Sequence, residues 1–216
     1  MNQQDIVRST ITYVKKTLEA AESGHDWWHI FRVWKMAKSI AQTEEVDLLT
    51  VELAALLHDI ADAKFHKGDE EIGPAKARHF LRSLNVESET IQHVVDIIRN
   101  ISFRKQLGKI NFYSRELSVV QDADRLDAIG AIGIARAFSY GGYKNRPMYD
   151  PDIPIEKDLT QQKYINSSAP TINHFYEKLL ELKDQMKTAA GREIAKDRHS
   201  FMEAYLVQFY REWPSK

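Results

Sequence analysis

Apolar residues in this chain recur at steps of three and four, and no stretch alternates with period two over a strand's length. That pattern confines the fold to packed helices, because a helix returns to the same face about every 3.6 residues while a strand shows its faces alternately. Val7, Ile11, Val14, Leu18 and Ala21 mark one inward face and predict a helix over residues 4–22, stopped near Ser23-Gly24. Asp26 is placed to cap a second helix reaching about residue 42, with His29, Val33, Ala37 and Ile40 inward. Asp47 caps a third, whose run VELAALLHDIA is apolar nearly all round except at His58 and Asp59, the pattern of a central, buried helix. Gly73-Pro74 begins a fourth helix that ends near Asn85, and Ser88 caps a fifth that runs to about Ile101 with Ile91, Val94, Val95 and Ile98 inside. A sixth is expected from about Ser114 to Phe138. The segment SYGGYKNRPMYDPDIPIEKD then reads as a long irregular loop, of a length usually reserved for lids and binding loops. Two further helices are expected at about 171–188 and 192–213. The fold class is all-α, with residues 1–216 as one domain and the C-terminal helical pair as an appendage.

Composition narrows the chemistry. The 216 residues are 43% hydrophobic and 28% charged, enough for a core and unlike a disordered chain. Thirty Lys plus Arg against thirty-one Asp plus Glu leave a net charge of -1, so no global basic field holds a nucleic-acid polymer. With no cysteine, disulfides, thiolate metal sites and cysteine nucleophiles are excluded together, and any metal must use His, Asp and Glu. The start MNQQDIVRST lacks a basic or apolar leader, and nothing approaches about eighteen consecutive apolar residues, so the expectation is a cytoplasmic protein without a membrane partner.

Four polar groups fall on inward helical faces: His29, His58, Asp59 and Asp124. Singly, each has an ordinary reading, a hydrogen-bonded core histidine or a capping aspartate. The doublet His58-Asp59 is different. Burying a carboxylate within ALLHDIA costs several kcal/mol unless a cation or strong donors compensate it, and a divalent metal does so while using the adjacent imidazole. His29 and Asp124 complete a set of two imidazoles and two carboxylates. Such donors suit Mn2+ first, with Fe, Co, Ni, Zn or Mg also admissible, and leave about two positions of an octahedron open, as in a catalytic site.

The order His29, His58-Asp59, Asp124, with the strings GHDWWHIFRV, LLHDIADAKFH and DADRLDAIG, resembles the HD superfamily of metal-dependent phosphohydrolases. The resemblance covers residues 20–140, the expected metal-site core. Residues 141–216, the loop plus C-terminal helices, are similar to an extension found in one bacterial subgroup. It implies an HD-type helical bundle in which His29, His58, Asp59 and Asp124 bind the metal. The ligand in that pattern is the histidine before x-x-Arg-Val, here His29 with Arg32 and Val33, which leaves His25 to support the shell or the helix start. Asp127 is expected to brace a ligand and Asp122 to be local and structural. Unlike subgroups with extra histidines in the next helix, this chain has His93 and then Arg99-Asn100 there, which argues against a full two-metal site.

The resemblance implies attack of a metal-activated water on a phosphoester or phosphoanhydride of a small nucleotide. A nucleoside triphosphate losing pyrophosphate or phosphate is the leading substrate; a nucleoside 5'-monophosphate or another phosphodiester is the alternative. Asp62, one turn beyond Asp59, is assigned as general base or water orienter, with a solvent-facing carboxylate as the rival reading. Lys64, His66, Lys144 and Arg146 are candidate phosphate-binding cations, and Arg104 and Lys105 are similarly placed; each alone also reads as a solvated charge. Tyr140, Tyr143 and Tyr149 either stack on a base or pack the loop down. Trp27, Trp28 and Trp34 read as helix-packing residues, and Phe201, Tyr205 and Phe209 as a buried stripe or a dimer face, so the chain is expected to be a monomer or homodimer. A non-catalytic nucleotide-binding regulator and, more distantly, an iron-dependent oxygenase are readings of other classes.

Overall fold

Why the polar residues come together follows from where each helix starts and stops. The structure, a computed structural model, describes residues 1–19, 26–61, 69–101, 112–156 and 168–213. All regular elements among them are helical, and none is long and apolar enough to cross a membrane. Packing divides the chain into two units, Met1–Ala123 and Asp124–Lys216.

In the first unit, α1 (Gln3–Thr17) is capped by Asn2, whose side chain accepts from the Asp5 amide at 2.9 Å, and buries Ile6, Val7, Thr10 and Val14. It ends short of the expected residue 22; Ala21 and Ser23-Gly24 lie outside the described residues. Asp26 caps α2 (Trp27–Ala41) as expected, accepting from the His29 amide at 3.0 Å, and His29, Ile30, Val33, Ala37 and Ile40 are buried. Asp47 accepts from the Leu49 and Thr50 amides to start α3 (Leu48–Leu57), in which every residue from Thr50 to Leu57 is buried. α1, α2 and α5 (Ser88–Asn100) pack around α3, and α4 (Ile72–Ser83) lies against α5. Pro74 sits in the first turn of α4, where its missing N–H costs nothing. Ser88 is the first helical residue of α5, and Glu87 stands at the cap position without a capping side chain.

The sequence pattern suggested a helix running from Ser114 to Phe138, but there are two: α6 (Arg115–Asp127) and α7 (Gly130–Tyr143). Ile129 is extended (φ -124°, ψ 168°) and Gly130 has φ +74°, a left-handed conformation open to glycine at little cost. The irregular stretch starts at Lys144, later than expected. It is tethered along its described part: the amides of Thr171 and Ile172 donate to the Pro147 and Met148 carbonyls at 3.0 Å, and the buried Asn173 amide group donates to the Ile153 and Pro154 carbonyls at 3.1 Å. α8 (Thr171–His174) continues into a π-helical turn, Phe175–Leu179, and a 3₁₀ segment, Leu180–Gln185. Thr188 caps α9 (Ala189–Glu212), its hydroxyl accepting from the Gly191 amide at 2.9 Å. α9 packs on α7 and on the 3₁₀ segment, and Phe138, Phe175, Tyr205 and Phe209 form an aromatic cluster with ring centroids 6.0–6.5 Å apart. Phe201, on the same spacing, is 54% exposed, so the expected stripe is interrupted there.

Candidate metal centre

α3 delivers the doublet by ending. The expected helix through VELAALLHDIA stops at Leu57, and residues 58–61 form a turn. The Ala55 carbonyl, which a continuing helix would offer to the Asp59 amide, accepts from the His58 ring at Nδ1 (2.8 Å). A carbonyl only accepts, so Nδ1 carries the proton and Nε2 carries the lone pair. His58 and Asp59 are therefore half-buried at the exit of a helix that is buried from Thr50 to Leu57.

His29 arrives from the first turn of α2. It is 1% exposed, and its ring stands edge-on to that of His58, with centroids 5.3 Å apart and planes at 70°. One ligand atom each from His29, His58 and Asp59 lie within 4.8 Å of one another, a group that could hold a metal ion. The donors fit a divalent cation: two imidazoles, one locked by its second nitrogen in the tautomer a ligand needs, and a carboxylate.

The other expected residues fall as follows. Asp124 is half-buried in α6 and opens the second unit. Asp122 is fully buried. Asp127 is 4% exposed and ion-paired with Arg136 at 2.8 Å. Lys144 lies over the rings of Tyr143 and Tyr140, 4.9 and 5.7 Å from their centroids, and the Arg146 guanidinium is 5.7 Å from that of Tyr140. Tyr149 packs on Tyr210 and Trp213 at 5.3 and 5.1 Å, the loop-packing alternative. His25, Asp62, Lys64, His66, Arg104 and Lys105 lie outside the described residues.

α5 spends its polar groups on its neighbours and on its own last turn. His93 Nε2 is 3.0 Å from Ser114 Oγ and 3.5 Å from Glu116 Oε2. Arg99 is paired with Glu71 at 2.6 Å, a bond that raises the guanidinium pKa, and the Asn100 side chain donates to the Asp96 carbonyl at 2.8 Å.

Two features escaped the sequence reading. Glu52, within the run read as apolar, is 8% exposed and accepts from Trp34 Nε1 at 3.0 Å and Lys38 Nζ at 2.8 Å, bracing α2 against α3. The signal was a carboxylate flanked by Val51 and Leu53. Trp28 was expected to pack, yet it is 61% exposed and meets only Phe31 among the ring contacts of the described residues. Trp27 is capped by Lys15, 4.8 Å from its ring centroid.

This geometry agrees with kinship. The sequence profile of the HD domain matches residues 27–129. An HD-superfamily hydrolase from Bacillus thuringiensis has a crystal structure that superposes with a TM-score of 0.77 at 46% identity, covering 100% of both chains. The chain belongs to the HD superfamily of hydrolases. Within it, the chain is similar to YpgQ of Bacillus subtilis strain 168, at 39% identity over 205 residues covering 94% of this chain and 91% of that protein. The crystal structure of YpgQ in complex with ADP superposes with a TM-score of 0.79 at 36% identity, covering 99% of this chain and 98% of the other.

Proposed function

We propose that this chain is a metal-dependent nucleotide phosphohydrolase, acting on nucleoside triphosphates with release of pyrophosphate or phosphate. The observation that carries the metal-dependent part is the group formed by His29 of α2 with His58 and Asp59 at the exit of α3, which we extend to Asp124 as fourth ligand. The nucleotide part is supported by the ADP complex of a relative that aligns along almost the whole chain. A divalent cation, with Mn2+ as first choice for these donors, supplies Lewis acidity that lowers the pKa of a water and draws charge from a phosphoryl oxygen.

The chain's own residues do the rest. Asp62 takes the proton from the attacking water and returns it to the departing oxygen. Lys64, His66, Lys144 and Arg146 counter the charge that grows on the leaving phosphate. His25 and Asp127 hold ligand-bearing elements in place. A nucleotide-binding regulator is the rival, because binding of ADP by a relative is also what a regulator shows.

A nucleotide panel with Mn2+-loaded protein and product analysis tests the proposal. The expected outcome is turnover of at least one nucleoside triphosphate, with pyrophosphate or phosphate appearing alongside its nucleotide partner. Turnover confined to monophosphates replaces the triphosphate assignment by a 5'-monophosphatase. No turnover of any nucleotide, with calorimetry still showing tight binding, overturns the enzyme in favour of the regulator.

A further inference from the structure

The last turn of α6, Asp124 to Asp127, concentrates negative charge. A helix C-terminus already carries unsatisfied carbonyls and a partial negative charge. Here Asp124 and the buried Asp127 add two carboxylates. Three arginines of the same unit hold this turn. Arg136 pairs with Asp127 at 2.8 Å. Arg125, 6% exposed, donates to the Gln185 carbonyl at 2.6 Å and so fastens the turn to the 3₁₀ segment. Arg198, from the middle of α9, donates through Nη1 to the Leu126 carbonyl, two residues beyond Asp124, and feels the charge of Asp127.

Arg198 is built in. Its alkyl stem runs over Gly130, where a Cβ would stand 3.0–3.3 Å from its Cγ, Cβ and Cδ, so the left-handed glycine that opens α7 also makes room for the arginine. Burial lowers its pKa, so keeping the guanidinium charged here has a cost that the α6 terminus offsets.

We propose that Arg198 is a positioning residue for the metal centre: by capping the last turn of α6 it fixes the Asp124 carboxylate for metal binding. The C-terminal helix, outside the 27–129 segment matched by the HD domain, thereby takes part in the metal chemistry. The proposal rests on the reading of Asp124 as a ligand.

The test uses the full chain and Mn2+ as probe, with affinity from calorimetry, the Mn2+ paramagnetic resonance spectrum, and melting of the metal-free protein in EDTA. Asp124→Asn is expected to lose Mn2+. Arg198→Met is expected to bind Mn2+ about 10–100-fold more weakly, with an altered spectrum and, at saturating Mn2+, a lowered kcat with little change in KM. Arg198→Lys, which keeps the charge but offers a single donor in place of the fork, recovers part of the affinity. If Arg198→Met melts lower but binds Mn2+ with native affinity and spectrum while Asp124→Asn does not, Arg198 is structural only and the proposal is overturned with the site reading intact. Native affinity in Asp124→Asn overturns both. Where Arg198→Met does not fold, Arg198→Lys carries the decision: weaker binding with an altered spectrum supports the proposal, and native behaviour ends it.

Discussion

His58 is held by a bond that decides what its other nitrogen can do. With Nδ1–H given to the Ala55 carbonyl, the ring presents a lone pair at Nε2 and is pinned to the end of α3. Asp59 follows on the same turn and belongs to the same group of candidate ligands. Asp59→Ala is therefore expected to abolish metal retention, read as metal content after gel filtration. Asp62→Ala is expected to retain the ion and lose about 10²–10⁴-fold in turnover, the usual contribution of a general base; full activity in that variant removes Asp62 from the mechanism. At this scale the sequence was informative at His29, His58 and Asp59, each a polar residue on an otherwise apolar face. Glu52 was not legible because its partners, Trp34 and Lys38, stand on the neighbouring helix, and only packing shows that they reach it.

The elements were legible where capping chemistry is local. Asp26 and Asp47 stand where side-chain oxygens must accept the first free amides, and both do so. The break between α6 and α7 was hidden because apolar spacing continues through it, and a left-handed glycine inside GAIG looks like any helical glycine. The end of α3 at Leu57 was hidden for a related reason, since the bond that marks it comes from a histidine that periodicity counts as one more helical position. Gly133 shows how tightly the α6–α7 corner is drawn. A Cβ at this position would fall 2.2 Å from the Ala128 carbonyl oxygen, and neither atom belongs to a flexible side chain. Gly133→Ala is thus expected to cost about 1–3 kcal/mol by overpacking, seen as a fall of several degrees in Tm. An unchanged Tm means that the corner can open without strain.

For the whole molecule, the all-α class followed from the spacing of apolar residues. The contribution of residues beyond the HD segment did not, because it depends on contacts such as Arg198 with Leu126, far apart in sequence. The metal is expected to be an addition to a folded chain rather than its organiser, in contrast to small zinc domains that unfold without their ion. The first unit buries Val51, Leu53, Leu56, Leu57, Val94, Val95 and Ile97, an apolar core that does not consist of metal ligands. EDTA should leave the far-ultraviolet circular dichroism unchanged and lower Tm by about 5–10 °C relative to protein at a hundredfold excess of Mn2+ over its Kd. Collapse of the helical signal in EDTA contradicts this view. α3 adds a consequence measurable in time. A helix enclosed along Thr50–Leu57 has no fraying face turned to water, so its amide protons can exchange with deuterium only when the surrounding helices come away. Those amides are a built-in clock for the opening of the first unit, and the His58-Asp59 turn, anchored at the end of that helix, starts each encounter with a cation already in place.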